Sequence, residues 1–253
     1  MPEADAAIAE DAFLGGRIRL RQPRRGHRAG TDAVLLAALA APREGETVYD
    51  LGAGVGAAGL IVAARTEARV VFVEREPVLA ALCRENIALN RLDRRARVIE
   101  ADLLAPAAVR RERGLVPQSA DWVVTNPPFL EEGRSRRSPD ALRVSAHELP
   151  ADGLKRWITA AADLLRPKGR LGLIHRADAL AACLSHLGRG FGAVEIRSVH
   201  PGPGEAAIRI LITATKASRA PSRLLPGLVL HDATGAFTPE AEALHRGERQ
   251  FVA

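Results

Sequence analysis

The sequence predicts an α/β domain with a mostly parallel β-sheet and helices on both faces. Three observations carry this. From Glu46 onward, short β-branched apolar runs alternate with helix-length amphipathic stretches. A glycine-rich loop at 50–56 follows the first run directly and opens a helix. The last two apolar runs, 192–199 and 206–215, have no helix between them. That connection is too short for a parallel crossover, so the two pair as an antiparallel hairpin.

Residues 1–12 read as a loose N-terminus. In 13–30, Ile18 and Leu20 alternate with Arg17, Arg19 and Arg21, which predicts a short extended segment followed by a loop. Thr31 or Asp32 can cap a helix that runs to Ala41 and stops at Pro42. Strands follow at 47–51, 69–74, 96–101, 121–125 and 170–175, interleaved with helices at 57–66, 77–90, up to about 113, and 151–165. Arg166-Pro167-Lys168-Gly169 reads as a turn into the fifth strand, and a helix at 177–188 precedes the final hairpin. Near the end, Thr238-Pro239-Glu240 is a helix start with proline at the first helical position. These elements divide the chain into a basic segment 1–30, a domain 31–216 and a tail 217–253 with a short helix.

Of the 253 residues, 47% are hydrophobic and 26% charged, enough for one large core. No apolar run approaches the roughly 20 residues of a membrane span, and the start lacks a secretory pattern, so a cytoplasmic protein is expected. Cys83 and Cys183 fall in helix-like apolar stretches and read as small buried hydrophobes. They form no metal-ligand spacing with His27, His147 or His175, so no metal is expected. The net charge of +6 favours a polyanionic partner, although the near-exclusive use of arginine also fits GC-rich coding.

The loop Asp50-Leu51-Gly52-Ala53-Gly54-Val55-Gly56 lets the backbone turn sharply and approach a ligand. Its spacing is compatible with a dinucleotide and with other nucleoside cofactors. Glu74, ending the second strand, stands where an acid binds ribose hydroxyls in either case. Asp50 tilts the balance. A carboxylate just before the loop would repel a pyrophosphate and suits a cationic group such as the amino group of a methionine moiety. Asp102, ending the third strand, can accept from an adenine amino group or cap the following helix.

Thr125-Asn126-Pro127-Pro128-Phe129 directly follows the fourth strand. Each proline fixes φ and removes an amide donor, leaving carbonyls free to accept. The Asn126 side-chain oxygen and the Pro127 carbonyl form a paired acceptor site for an NH2 group, and Phe129 offers a face for stacking a planar substrate. A conjugated amino nitrogen is a poor nucleophile. Holding its two protons on fixed acceptors localises its lone pair and aims it.

The glycine loop, Glu74 and Asn126-Pro127-Pro128-Phe129 together resemble the small-domain class of Rossmann-like amino-methyltransferases. That resemblance implies a seven-stranded sheet with an antiparallel last strand and S-adenosylmethionine as cofactor. It places Asp50, Gly52, Gly54, Glu74 and Asp102 at cofactor positions and Asn126, Pro127, Pro128 and Phe129 at the catalytic turn. The segment Ala29-Gly30-Thr31-Asp32-Ala33-Val34-Leu35-Leu36 resembles bacterial tRNA adenine-N6 methyltransferases that modify position 37 of a valine tRNA. In these the segment closes over the cofactor, which makes Thr31 a contact. Phe129 departs from the Tyr common in adenine and glutamine enzymes and matches guanine-N2 enzymes.

Adenine N6 in tRNA is therefore the expected acceptor, with guanine N2 in rRNA and protein glutamine as alternatives. Only 49 residues precede Asp50, too few for the helical recognition domain of glutamine enzymes, and the duplicated domain of large guanine-N2 enzymes is not seen. Arg17, Arg19, Arg21, Arg24, Arg25 and Arg28 lie before the core, and Arg134, Arg136, Arg137 and Arg143 follow the turn. Both clusters flank the expected site and fit RNA, with Arg24, Arg25, Arg28, Arg136 and Arg137 as candidate contacts, or else are solvated loops. A base within RNA would have to be splayed out to reach the turn. A non-catalytic RNA-binding module would use the arginines without needing Asn126-Pro127-Pro128.

Overall fold

A computed structural model describes residues 8–24, 28–128, 130–131, 148–150 and 152–251. The first elements are an antiparallel hairpin of β1 (Ile8–Phe13) and β2 (Ile18–Pro23), then helix α1 (Thr31–Leu39). The alternating region follows: β3 (Thr47–Leu51), α2 (Ala57–Arg65), β4 (Arg69–Glu74), α3 (Pro77–Leu89), β5 (Ala96–Glu100), α4 (Ala107–Glu112) and β6 (Ala120–Thr125). Two-residue strands β7 (Leu130–Glu131) and β8 (Glu148–Leu149) pair in parallel. Next come α5 (Gly153–Leu164), β9 (Leu165–Arg176), α6 (Leu180–Leu187), β10 (Phe191–His200) and β11 (Arg209–Lys216). The tail adds β12 (Arg223–Leu224), β13 (Leu228–Val229) and α7 (Pro239–His245).

Seven strands make the body of the main sheet, in the order β5-β4-β3-β6-β9-β11-β10. The first five are mutually parallel, and β11 runs antiparallel to both neighbours. β12 and β13 extend the edge by pairing in parallel with β10. The chain winds outward from β3 to β5, then crosses to β6 on the other side. The crevice at the ends of β3 and β6 is thus the switch point where open α/β sheets bind ligands.

Alternating strand residues feed two apolar cores. Val48, Val70, Phe72, Trp122 and Val124 pack toward α1, α2 and α3, while Tyr49, Leu51, Val71, Val73 and Val123 pack toward α5 and α6. The amphipathic α5 buries Trp157, Ile158, Ala161 and Leu164 on the second face. Both cysteines are buried and unpaired.

Three local expectations change. Ile8–Phe13, read as part of a loose terminus, is a strand. Its partner β2 is held on the far edge by two helix side chains that act as a surrogate strand. Asn86 accepts from the Arg21 N–H (2.7 Å) and donates to the Arg21 and Val55 carbonyls. Asn90 accepts from the Arg19 N–H (2.9 Å) and donates to the Arg19 carbonyl. Arg166–Gly169 lies within β9 as a bulge rather than before it: pairing jumps from Ala120↔Leu165 to Trp122↔Arg170, with Lys168 at φ 68°. α1 is capped by neither Thr31 nor Asp32. Gly30 is its N-cap without a side-chain bond, and Asp32 instead pairs with Arg209 at 3.0 Å. The tail helix forms as read, with the Thr238 hydroxyl accepting from the Ala241 N–H.

Asn86 is fully buried and satisfies three backbone groups of two segments. Asn86→Ala should cost about 2 kcal/mol or more, because those groups lose their partner without reaching water. Chemical denaturation would measure the loss. Faster amide exchange at Arg21 would localise it to the hairpin edge, and unchanged exchange there would refute the surrogate-strand role.

Candidate functional site

A cleft of about 590 Å³ opens at the carboxyl ends of β3, β4, β5 and β6. That volume suits a nucleoside-sized cofactor. Its wall includes Thr31, Asp50, Gly52, Gly54, Glu74, Asp102, Asn126, Pro127, Pro128 and Arg28 from the residues singled out in the sequence. The cofactor candidates and the Asn-Pro-Pro turn therefore share one cavity. Arg24 is exposed next to the rim residue Pro23 but is not part of the lining. Phe129, Arg25, Arg136 and Arg137, together with Arg134, Arg143, His27 and His147, lie outside the described residues.

The glycine loop is closed on itself. The Gly52 and Ala53 N–H groups both donate to the Val73 carbonyl, and Gly56 N–H donates to the Ala53 carbonyl. Gly54 N–H donates to Glu74 Oε2 (2.7 Å), and Gly59 N–H to Asp50 Oδ2 (2.8 Å). Gly52, Gly54 and Gly56 all take positive φ, which this tight path requires. A phosphate-binding loop turns free amides toward its ligand. Here the donors of Gly52, Ala53, Gly54, Gly56 and Gly59 are spent within the protein, and carboxylates face the space instead. That decides against a dinucleotide.

Glu74 does more than end a strand. Besides Gly54 it accepts from the Arg75 and Glu76 N–H groups through Oε1 (2.8 and 2.9 Å). A carboxylate has about four acceptor sites. Three are taken, which leaves capacity on Oε2 for one hydroxyl. Burial raises the pKa of Glu74, opposed by these three amide bonds. Asp50 is 3% exposed. Burial is also the main cause of its pKa rising to about 7; the Gly59 amide opposes the rise, and the nearby negative charge of Glu74 adds to it. Two buried carboxyls in one cavity favour a cationic ligand group.

Asp102 is exposed and does not cap α4, whose N-cap is Pro106. Its Oδ1 accepts from Leu104 N–H (2.8 Å) in a local turn. The adjacent Leu103 carbonyl is held by Arg110 (3.0 Å) and the Leu104 carbonyl by Arg156. On the opposite rim the entry segment is fixed by Gln22, which accepts from Ala29 N–H and donates to Asp11; Asp11 also pairs with Arg28 at 2.6 Å.

At the turn, Asn126 Oδ1 is buried and has no hydrogen-bond partner among the described residues. A buried acceptor left open costs stability unless something donates to it. Pro127 is buried behind it. Among the further cleft residues, Trp157, Arg209 and Arg75 were not singled out in the sequence, and Asp32 was read only as a helix cap. Trp157 reads from sequence as one more apolar residue on a helix face, and nothing local marks its reach to the cleft.

The residues present fit S-adenosylmethionine: two buried carboxyls suit a cationic amino group, and Glu74 and Asp102 keep capacity to accept further hydrogen bonds. Fold and site define a Rossmann-like, S-adenosylmethionine-dependent methyltransferase. Residues 28–200 match the methyltransferase small domain family. A tRNA1(Val) (adenine(37)-N6)-methyltransferase of Porphyromonas gingivalis is 32% identical over 239 residues, spanning 91% of each chain. Its counterpart in Shewanella amazonensis is 29% identical over 225 residues, 87% of this chain and 91% of that one. A crystal structure from Agrobacterium tumefaciens, described as a predicted O-methyltransferase, aligns with TM-score 0.73 at 34% identity, covering 87% of this chain and 98% of the other. The chain belongs to the methyltransferase small domain family. Among the described residues, no helix is long and apolar enough to cross a membrane.

The raised pKa of Asp50 has a definite sign. The folded state holds its proton longer than the unfolded state, so its contribution is complete below the ordinary value of 3.8 and is lost as pH rises through about 7. In the unliganded protein, Asp50→Asn should therefore gain on wild type in melting temperature across that interval. Parallel curves would remove the buried proton from the account.

Proposed function

We propose that this chain transfers a methyl group from S-adenosylmethionine to the exocyclic N6 amino group of an adenosine in tRNA, at position 37 of a valine tRNA. The observation that carries the chemistry is the buried Asn126 Oδ1, without a hydrogen-bond partner among the described residues, on a two-proline corner in the wall of the cleft. The substrate class is supported by the names of relatives about 30% identical over most of the chain.

Bound S-adenosylmethionine supplies an electrophilic methyl group on a sulfonium. The protein's part is to hold and orient. Asp50 receives the cofactor's amino group, Glu74 a ribose hydroxyl, Asp102 the adenine edge, and Thr31 with the segment after Arg28 covers the cleft. Gly52 and Gly54 bring the backbone close. Asn126 Oδ1 and the Pro127 carbonyl each accept one proton of the substrate NH2, and Pro128 stiffens the corner. These bonds would localise the nitrogen lone pair and aim it at the methyl group that the cofactor would supply, and the surplus proton would be released to water. Phe129 is assigned to stacking the base, and Arg24, Arg25, Arg28, Arg136 and Arg137 to phosphate contacts. The transferase core is assigned to residues 31–216, with 1–30 as a basic segment and 217–253 as a tail.

A hydroxyl acceptor, as the description of the Agrobacterium structure suggests for that protein, fits less well. An alcohol needs a base to take its single proton, and the amide oxygen of Asn126 is too weak a base for that. Asn126→Ala should reduce methyl transfer by roughly 100- to 1,000-fold, the loss expected for one oriented electrostatic partner, while cofactor affinity stays near normal. Labelled-methyl transfer to tRNA, rRNA and protein fractions from a strain lacking the enzyme, followed by nucleoside analysis, tests both parts. Label in N2-methylguanosine or glutamine would overturn the acceptor. Glu74→Ala should weaken cofactor binding by calorimetry, because it removes a hydroxyl acceptor and unpins Gly54 together. Neutralising Arg24 and Arg28 should flatten the salt dependence of RNA binding, and an identical slope would take them off the RNA path.

A further inference from the structure

Trp157 is 6% exposed and reaches across from α5 into the cleft wall. The edge of its six-membered ring abuts Gly52: a β-carbon there would stand 2.8 Å from Cζ2 and 2.9 Å from Cη2. Its Nε1–H donates to Thr125 Oγ1 (2.9 Å), and the Thr125 hydroxyl donates in turn to the Leu51 carbonyl (2.9 Å). Thr125 is fully buried, so its single proton and its acceptor lone pair both have their partners inside the protein. Leu51 and Thr125 are register partners at the ends of β3 and β6. Each is followed at once by a functional loop, Gly52 on one strand and Asn126 on the other.

We infer that Trp157 is a positioning residue for methyl transfer: through Thr125 and Gly52 it locks the Asn-Pro-Pro corner in register with the glycine loop. It touches neither reacting atom by this account. The distance between the methyl group and the acceptor nitrogen depends on the offset between the two strand ends, and β6 beyond Thr125 has two prolines that donate no ladder hydrogen bond. The indole, the hydroxyl and the Leu51 carbonyl supply the missing tie. A displacement near 1 Å at such a corner costs about 100-fold in rate.

The inference rests on the corner being the transfer site, and the test separates the two. Trp157→Phe keeps an aromatic side chain but removes the donor and the ring edge against Gly52; Thr125→Val removes both hydrogen bonds at nearly constant volume. Each should lower kcat by roughly 10- to 100-fold with KM and cofactor Kd changed less than about twofold, and the double variant should be little worse than Thr125→Val. Thr125→Ser, which keeps the hydroxyl, should recover most of the loss. Kinetics are run on whichever RNA or protein fraction the wild type labels, so a protein acceptor overturns the adenine reading and leaves this one to be decided. A wild type that labels nothing overturns both. Independently of any substrate, the Trp157 indole N–H should be protected from solvent exchange by NMR, with the protection lost in Thr125→Val. Unchanged kcat in Trp157→Phe, or a loss that tracks falling Kd and melting temperature alone, would refute the positioning role.

Discussion

The site depends on where the glycine loop sends its amides. In the folded chain they point inward, to the Val73 carbonyl and to the carboxyls of Asp50 and Glu74. This fixes two properties at once. The loop's positive-φ path is held by bonds within the protein. The cavity wall carries acidic groups in place of anion-binding donors, which sets the sign of the charge it accepts. Reversing that arrangement, with amides outward, would turn much the same strand–loop–helix sequence into a pyrophosphate site. Cofactor class is thus a matter of hydrogen-bond direction more than of glycine spacing.

The same distinction marks what could be read from the sequence. The central strands were legible because residues buried on both faces produce continuous apolar runs, as in Val70–Val73. The acids at the strand ends and the Asn-Pro-Pro corner were legible because residue type and position coincide. β1 was not, since its pattern is only half-buried and its stability comes through β2 from Asn86 and Asn90, about 65 to 71 positions away. Gly52 shows a similar limit: the glycine is visible as a turn, but the indole that requires its missing side chain comes from residue 157. In the Arg166–Gly169 stretch the turn chemistry was right and the context wrong, because the pairing of β9 with Ala120 begins before the turn.

α5 connects these features. One helix carries Arg156 to the Leu104 carbonyl beside the Asp102 turn and Trp157 to Thr125 and Gly52. Adjacent residues on a helix diverge by about 100°, so one element reaches two ends of the cleft only because the ends flank it. The chain between β6 and α5 contains the segment after the Asn-Pro-Pro corner, whose described ends pair as β7 and β8. Sequence neighbours of the chemistry therefore return to the cleft as its supports.

The basic hairpin shows how charge and fold divide the arginines. Arg17 donates to the Leu14 and Arg246 carbonyls and ties the hairpin to the tail, a structural use. Arg19 and Arg21 instead face Glu10, Arg21 also faces Glu85, and Arg28 faces Asp11. These side chains are 33–60% exposed. Exposed pairs of this kind contribute about 0–1 kcal/mol and weaken further with salt. A phosphate that releases condensed counterions can replace such a carboxylate at little cost. Intramolecular pairing therefore leaves these arginines at the surface with their charge only weakly held. Of the three, Arg28 alone lines the cleft, so its pair with Asp11 fixes one residue of the cleft wall to the hairpin.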